Sequence, residues 1–143
     1  VIQRHRAEHR VLIAAEVERF RQDACGYAGP WGASRHQVLW FWALHRLPGG
    51  GPYLPRADVF QVPELWKGMR VVSKAFVRAA HRRNIPVQVW TVDDAESMKC
   101  LLAWGVDGIQ SDRPDILARV LTEMTGRPPP HGPADVPTRE TSA

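Results

Sequence analysis

The residues of this 143-residue chain that could do chemistry stand where short apolar runs end. Glu16 follows Val11-Leu12-Ile13-Ala14-Ala15, and Gln61 ends the run Asp58-Val59-Phe60-Gln61-Val62. Trp90 and Thr91 close Val87–Val92, while Ser111, Asp112 and Arg113 follow Val106–Gln110. If the runs are parallel strands, all of these side chains point to one rim, where together they could line a ligand pocket. Each also has a purely structural reading. Asp112 can cap the following helix, and Arg113 can pair with Asp112 or with a neighbouring loop. Trp90 can be a packed rim aromatic, and Glu16 can sit at a helix N-terminus, where the dipole favours it.

The elements that must position these residues follow from periodicity. Val11–Ala15 is a continuous apolar run, as expected for a strand covered on both faces, and Val17–Ala24 reads as a short amphipathic helix. Cys25–Ala33 is turn-rich, with a brief strand around Tyr27. Ser34-Arg35-His36-Gln37 has the spacing of a capping box, leading a helix whose apolar face carries Val38, Leu39, Phe41, Trp42 and Leu44. That helix ends at Pro48-Gly49-Gly50-Gly51-Pro52. Asp58–Val62 is a strand stopped by Pro63.

Ser73 caps a helix with Phe76, Val77, Ala79 and Ala80 inside. His81, Arg82 and Arg83 complement the dipole of its last turn, and Asn84 suits a left-handed closing position. Val87–Val92 is a strand. A helix capped by Asp93 or Asp94 follows, with Met98, Leu101 and Leu102 inside and Gly105 as terminator. Val106–Gln110 is the last strand, and Pro114 opens a final helix through Ile116, Leu117, Val120 and Leu121.

Strands alternating with helices of about three turns predict an α/β fold with a parallel sheet, either a doubly wound open sheet or part of a (β/α)8 barrel. No G-x-G-x-x-G or G-x-x-x-x-G-K turn follows a strand, which removes the main support for nucleotide binding. Gly49-Gly50-Gly51 follows a helix and reads as a flexible connection.

Composition narrows the classes. An apolar fraction of 44% with six Trp supports a packed core, and a net charge of +4 without a dense basic run interleaved with aromatics argues against nucleic acid. Neither Cys25 nor Cys100 has metal-ligand spacing. Cys100 falls in a helical apolar pattern and reads as a buried thiol, so a reducing, cytoplasmic setting is expected. No run approaches the roughly 18 apolar residues of a membrane span. The chain opens at Val1 in what reads as a helix tail (Val1–Arg10), the pattern of a sequence that continues upstream. From Gly126 onward the text is Pro-rich and almost free of large apolar groups, so residues 126–143 are expected to be a disordered tail and residues 1–125 the folded domain.

The stretch 86–117, PVQVWTVDDAESMKCLLAWGVDGIQSDRPDIL, resembles the C-terminal signature of the glycerophosphodiester phosphodiesterase family, a TIM barrel. Members typically carry a strand reading V-x-V-W-T-V-N, a short helix, then G-V-D-G-I-x-T-D-R-P-D/E. The matching residues here are Trp90-Thr91-Val92, Gly105-Val106-Asp107-Gly108-Ile109 and Asp112-Arg113-Pro114-Asp115. Asp93 replaces the usual Asn and Ser111 the usual Thr, each keeping a polar helix-cap group. Ala57–Pro63 and Phe76–His81 also resemble bacterial members, so the likeness runs from about Arg10 to Leu121. It implies the last five or so βα units of the barrel.

The family hydrolyses glycerophosphodiesters to an alcohol and glycerol 3-phosphate. An H-R-G motif, an E-x-D pair, a second His and a further Glu hold a divalent cation (Mg²⁺ or Ca²⁺) and supply the general acid and base. None of these motifs is found in this sequence. His5-Arg6-Ala7 shares two letters with H-R-G, but it precedes a strand and carries Ala for Gly. The resemblance therefore places no catalytic or metal-binding residue in the chain. It assigns Trp90, at the glycerol side of the pocket, with Glu16 and Gln61, to contact with a small-molecule glycerophosphodiester. Two further readings stand beside it. One is a non-catalytic half-barrel that self-associates through open sheet edges. The other is a basic binding module using Arg70, Lys74, Arg78, Arg82 and Arg83.

Overall fold

The computed structural model describes residues 2–17, 26–47 and 53–128. All but the first residue of the helix expected over Val17–Ala24, Cys25, the glycine run at 49–51 and most of the expected tail lie outside the described residues. The helices are α1 (Arg35–Leu44), α2 (Lys74–His81), α3 (Ala95–Trp104) and α4 (Pro114–Thr125). The strands are β1 (Phe60–Pro63), β2 (Leu65–Trp66), β3 (Met69–Arg70), β4 (Val87–Trp90) and β5 (Gly108–Ile109).

β1, β4 and β5 form a parallel sheet in that order, with Gln61 opposite Gln88 and Gln88 opposite Gly108. Two isolated parallel bridges, Ile13 to Trp31 and Gly32 to Val59, extend the ladder on the other side. The order of hydrogen-bonded segments thus follows the chain, as in a barrel wall. The expected strands at Val11–Ala15 and Tyr27 are corrected by this. The first is reduced to one bridge at Ile13, and the second falls at Trp31-Gly32. Tyr27 instead donates its hydroxyl to the Val11 carbonyl and stands edge-on to Trp31 at 5.5 Å. The expected N-terminal helix is replaced by two 3₁₀ turns, Gln3–His5 and Glu8–Arg10, with Arg6 left-handed between them.

Strand alternation divides the residues between two faces. Phe60, Val62, Val87 and Val89 are buried beneath the helices with Phe41, Phe76, Val77, Met98 and Leu101. Phe41, Phe60 and Phe76 form a closed aromatic triangle with ring centroids 4.7, 5.1 and 5.5 Å apart. The opposite face carries an amide pair, Gln61 Nε2 donating to Gln88 Oε1 at 2.8 Å. Glycines flank this pair. A Cβ on Gly32 would lie 3.0 Å from that of Ala14 and 3.6 Å from Gln61 Oε1, and one on Gly108 would lie 3.2 Å from Gln88 Cγ.

The helix ends form as their capping residues dictate. Ser34 and Gln37 make the reciprocal capping box, Ser73 accepts from the Phe76 amide, and Asp94, not Asp93, accepts from Ser97. Gly105 and Asn84 adopt the expected left-handed conformations, and Gly126 closes α4 the same way. The inner stripe of α1 is Gln37, Phe41 and His45, one side chain every fourth residue, so Leu39 is turned outward and 53% exposed. Cys100 is exposed and corrects the buried reading, because Met98 and Leu101 take the inner side of α3. Among the described residues no helix is long and apolar enough to cross a membrane.

His45 stacks on Phe41 and stands edge-on to Phe76, its Nδ1 2.7 Å from the Trp42 carbonyl oxygen, which places the ring proton on Nδ1. Nε2 is buried without a hydrogen-bond partner among the described residues. Burial pushes the His45 pKa below its ordinary value, aided by the positive charges of Arg46 and Arg82. A folded pKa below the unfolded one means that the unfolded chain takes up the proton first. The contribution is therefore complete above the unfolded pKa and declines as pH falls toward the folded one. Acidification from about pH 7 to about pH 5 is expected to lower the melting temperature of the wild type more than that of His45→Phe, measured by circular dichroism. On the other face, Gly108→Val is expected to push Gln88 aside and destabilise the fold by about 1–3 kcal/mol. Denaturant unfolding, with loss of the Gln61 side-chain amide NMR signature, is the check.

Candidate functional site

At the carboxyl ends of the strands, a cleft of ≈ 480 Å³ opens between α1, the β2–β3 hairpin and the ends of β1 and β4. It brings together all three residues expected to contact substrate. Glu16 enters from the segment after the Ile13 bridge, Gln61 from within β1, and Trp90 from the last position of β4, where it is 43% exposed. They reach one place because parallel strands deliver their ends to one rim.

The structure adds residues that the sequence reading did not assign to the site. Arg35, the first residue of α1, donates its backbone N–H to the Glu16 carbonyl at 3.0 Å, and its guanidinium lies 3.5 Å from the Glu16 carboxylate. The same guanidinium sits 4.9 Å from the centre of the Trp66 ring, and Lys67 Nζ lies 5.1 Å from that ring. Trp66 belongs to the hairpin, which no periodicity announced. Its signal was the two-residue turn Lys67-Gly68, both with positive φ (49° and 78°), as a tight hairpin requires. Trp42, read only as an inward helix residue, lines the cleft and donates its indole N–H to the Arg70 carbonyl at 3.3 Å.

Ser111, Asp112 and Arg113 are not among the cleft residues. Asp93 Oδ1 accepts from the Ser111 hydroxyl at 3.0 Å and from the Asp112 amide at 2.8 Å, tying the end of β4 to the end of β5. The two departures from the family signature, Asp93 and Ser111, thus meet in one hydrogen bond instead of capping helices. Asp112 does not cap α4. Arg113 holds the N-cap position without a side-chain cap, and its guanidinium grips Asp115 through two hydrogen bonds of 3.0 and 2.8 Å. That grip lowers the Asp115 pKa to about 2. The five basic residues of the binding-module reading are also divided. Arg70 pairs with Glu64 on the hairpin, and Arg83 donates to the Tyr53 and Ala79 carbonyls over the Phe41 ring.

The family resemblance implies a divalent cation, which needs several oxygen or imidazole donors converging on one point. Among the described residues no group of three or more His, Cys, Asp or Glu side chains could hold a metal ion. At the cleft Glu16 is the one carboxylate, and Arg35 already pairs with it. The described residues do not fit the cation.

Comparison with known proteins agrees with the geometry. The model of the glycerophosphoryl diester phosphodiesterase family matches residues 52–116, from the approach to β1 into α4. The protein named probable glycerophosphodiester phosphodiesterase 2 of Mycobacterium tuberculosis is 37% identical over 127 residues, covering 85% of this chain and 48% of the relative. A glycerophosphodiester phosphodiesterase of Arabidopsis thaliana is 37% identical over 65 residues, 41% of this chain and 20% of its own length. The chain therefore spans at most about half the length of these relatives. A crystal structure from Silicibacter pomeroyi, described as a glycerophosphoryl diester phosphodiesterase, superposes with a TM-score of 0.58 at 22% identity, over 86% of this chain and 41% of that one. That likeness bears on the fold: a parallel α/β wall corresponding to part of a barrel. The chain is thus similar to the glycerophosphoryl diester phosphodiesterase family over residues 52–116 and to the Mycobacterium relative over most of its own length, and it shares the fold of the solved structure.

Proposed function

We infer that this chain forms the glycerol-side wall of a site that hydrolyses a glycerophosphodiester to an alcohol and glycerol 3-phosphate. The observation that carries the reading is the convergence of Glu16, Gln61 and Trp90 on one cleft at the strand ends of a chain whose residues 52–116 match the model of this family. Trp90 offers an apolar surface to the carbon skeleton of glycerol. The Gln61 amide and the Glu16 carboxylate can hydrogen-bond its hydroxyls, and the Arg35 guanidinium suits the negative charge of the phosphate.

The roles are positional. The wall binds and orients the diester so that a water oxygen can attack phosphorus while the P–O bond to the head group breaks and the departing alcohol takes a proton. The groups that activate that water, and the cation ligands, are assigned to H-R-G and E-x-D segments outside this sequence. This part of the reading draws on the absence of both motifs from the 143 residues.

Two measurements on the chain test this. Glycerol 3-phosphate should bind in a calorimetric titration, and Trp90→Ala should weaken it about 10-fold, corresponding to the loss of about 1.4 kcal/mol of apolar contact. Glycerophosphocholine with Mg²⁺ or Ca²⁺ should show no turnover by the chain alone. Turnover abolished by a chelator would place the catalytic groups within these residues and overturn that half of the reading.

A further inference from the structure

We propose that Gln88, which lies outside the cleft, is a positioning residue that fixes which atom of the Gln61 amide meets the ligand. It thereby makes this point of the cleft select a hydroxyl that donates its proton. The inference rests on the phosphodiesterase reading above and assigns a specificity to the same site. A side-chain amide has two ends of opposite sense. Its oxygen only accepts hydrogen bonds and its nitrogen only donates them, and a half-turn about the last side-chain bond exchanges the two. A neighbour that engages one end therefore leaves the other for the ligand.

That neighbour is Gln88. β1 and β4 pair with Gln61 opposite Gln88, so both side chains leave the same face of the sheet. Gln61 Nε2 donates to Gln88 Oε1 at 2.8 Å. Gln61 lines the cleft and Gln88 does not, so the donor end of the Gln61 amide is turned to a residue behind the site. The acceptor end is turned the other way. Gln61 Oε1 lies 3.6 Å from where a Cβ on Gly32 would stand, and the Cβ of Ala14, a cleft residue, lies 3.0 Å from that same point. No hydrogen bond to this oxygen is made among the described residues. Gln88 is itself held in place by what is missing beside it. Gly108 stands opposite on β5, and a Cβ there would lie 3.2 Å from Gln88 Cγ and 3.8 Å from its Cβ and Cδ. The side chain of Gln88 crosses a position that has none of its own.

With Oε1 toward the cleft, a glycerol hydroxyl binds by giving its proton to the amide. A group of the same size that has no proton to give sets two electron-rich atoms against each other and leaves the amide oxygen unsatisfied. Glu16 also offers an acceptor to the cleft, but its carboxylate is engaged by Arg35 and makes no contact with Gln88. Discrimination that comes from Glu16 is therefore indifferent to residue 88, whereas discrimination that comes from an oriented Gln61 follows the hydrogen-bonding sense of that residue.

The test titrates the 143-residue chain calorimetrically with glycerol 3-phosphate and with its two analogues in which one hydroxyl or the other is replaced by fluorine. Fluorine keeps the size of the hydroxyl and loses its proton. The wild type should bind one of the two analogues at least about 10-fold more weakly than glycerol 3-phosphate. Gln88→Leu and Gln88→Lys should bring that ratio down to about twofold, the first by freeing the amide and the second by drawing Oε1 to its ammonium. Gln88→Glu, which as a carboxylate only accepts, should preserve it. Each ratio is taken within one variant and does not depend on how much of that variant folds. Equal binding of glycerol 3-phosphate and both analogues by the wild type would overturn the inference and leave the phosphodiesterase reading standing. A full ratio retained in Gln88→Leu and Gln88→Lys would assign the selectivity to Glu16 or to Gln61 alone and overturn the role of Gln88. A ratio lost in Gln88→Glu as in Gln88→Leu would reduce Gln88 to packing and overturn it too. No binding of glycerol 3-phosphate would overturn both readings.

Discussion

The two faces of this sheet are set by how Phe60 packs. It is completely buried, meeting Phe41 from α1 and Phe76 from α2. In a strand successive side chains point to opposite faces, so seating Phe60 and Val62 under the helices sends Gln61 and Pro63 the other way. β4 pairs with β1 in register, Phe60 to Val87 and Val62 to Val89, and repeats the division. A slip of one residue would set Gln61 against the phenylalanines and expose Phe60, exchanging core for cleft throughout the strand. The aromatic triangle therefore defines the site from behind, without touching it.

What it cannot define is how the strand ends are held relative to one another, because there the ladder has run out. Polar contacts take over. The Arg35 amide reaches the Glu16 carbonyl and anchors the first strand end to α1, the same helix whose Phe41 sits in the triangle. Asp93 bridges to Ser111 and to the Asp112 amide, closing the gap between the last two strands. Asp107 does similar work at the opposite end. One carboxylate oxygen accepts from the Val87 amide at 2.7 Å and meets His81 at 2.8 Å, binding the start of β4 to the end of α2. Asp93, which the sequence offered as a helix cap, is at this position a staple between neighbouring βα units, and Asp107 is another.

How far the sequence could be read follows the range of the forces involved. Capping is local: Ser34, Ser73, Gly105 and Asn84 each act within a few residues and were legible, and Asp94 was narrowed to one of two adjacent acids. Burial of α2 was legible because its inner positions carry apolar residues alone. On α1 the inner stripe includes Gln37 and His45, so an apolar template turned Leu39 inward by mistake. The first two strands shrink to bridges because pairing depends on a partner's register, which no single run reveals. The hairpin carrying Trp66 was missed for want of length. Its two arms have two residues each, and only the Lys67-Gly68 turn betrays them. At the cleft, topology offered Glu16, Gln61 and Trp90 along with Ser111, Asp112 and Arg113, and the family resemblance singled out Trp90 among them. Arg35 and Trp66 meet across 31 positions of sequence through a cation–ring contact, a pairing that leaves no periodic trace.

The composition of the cleft also constrains the part that this wall can play in catalysis. On the reading proposed above, its contacts are with glycerol and whatever is attached to it, atoms that change little as the P–O bond breaks. Such contacts stabilise bound substrate and transition state alike, which tightens binding without raising the rate of the chemical step. Rate comes from groups whose interaction grows as charge develops on the phosphoryl oxygens and the leaving group. Among the cleft residues the group of that kind is the Arg35 cation, which is partly neutralised by Glu16. On that proposed reading, a wall of this composition would select and orient the substrate. Its binding energy would contribute to the rate only where that orientation delivers the phosphorus atom to the catalytic groups, so the proposed reading separates the residues that set specificity from those that set rate.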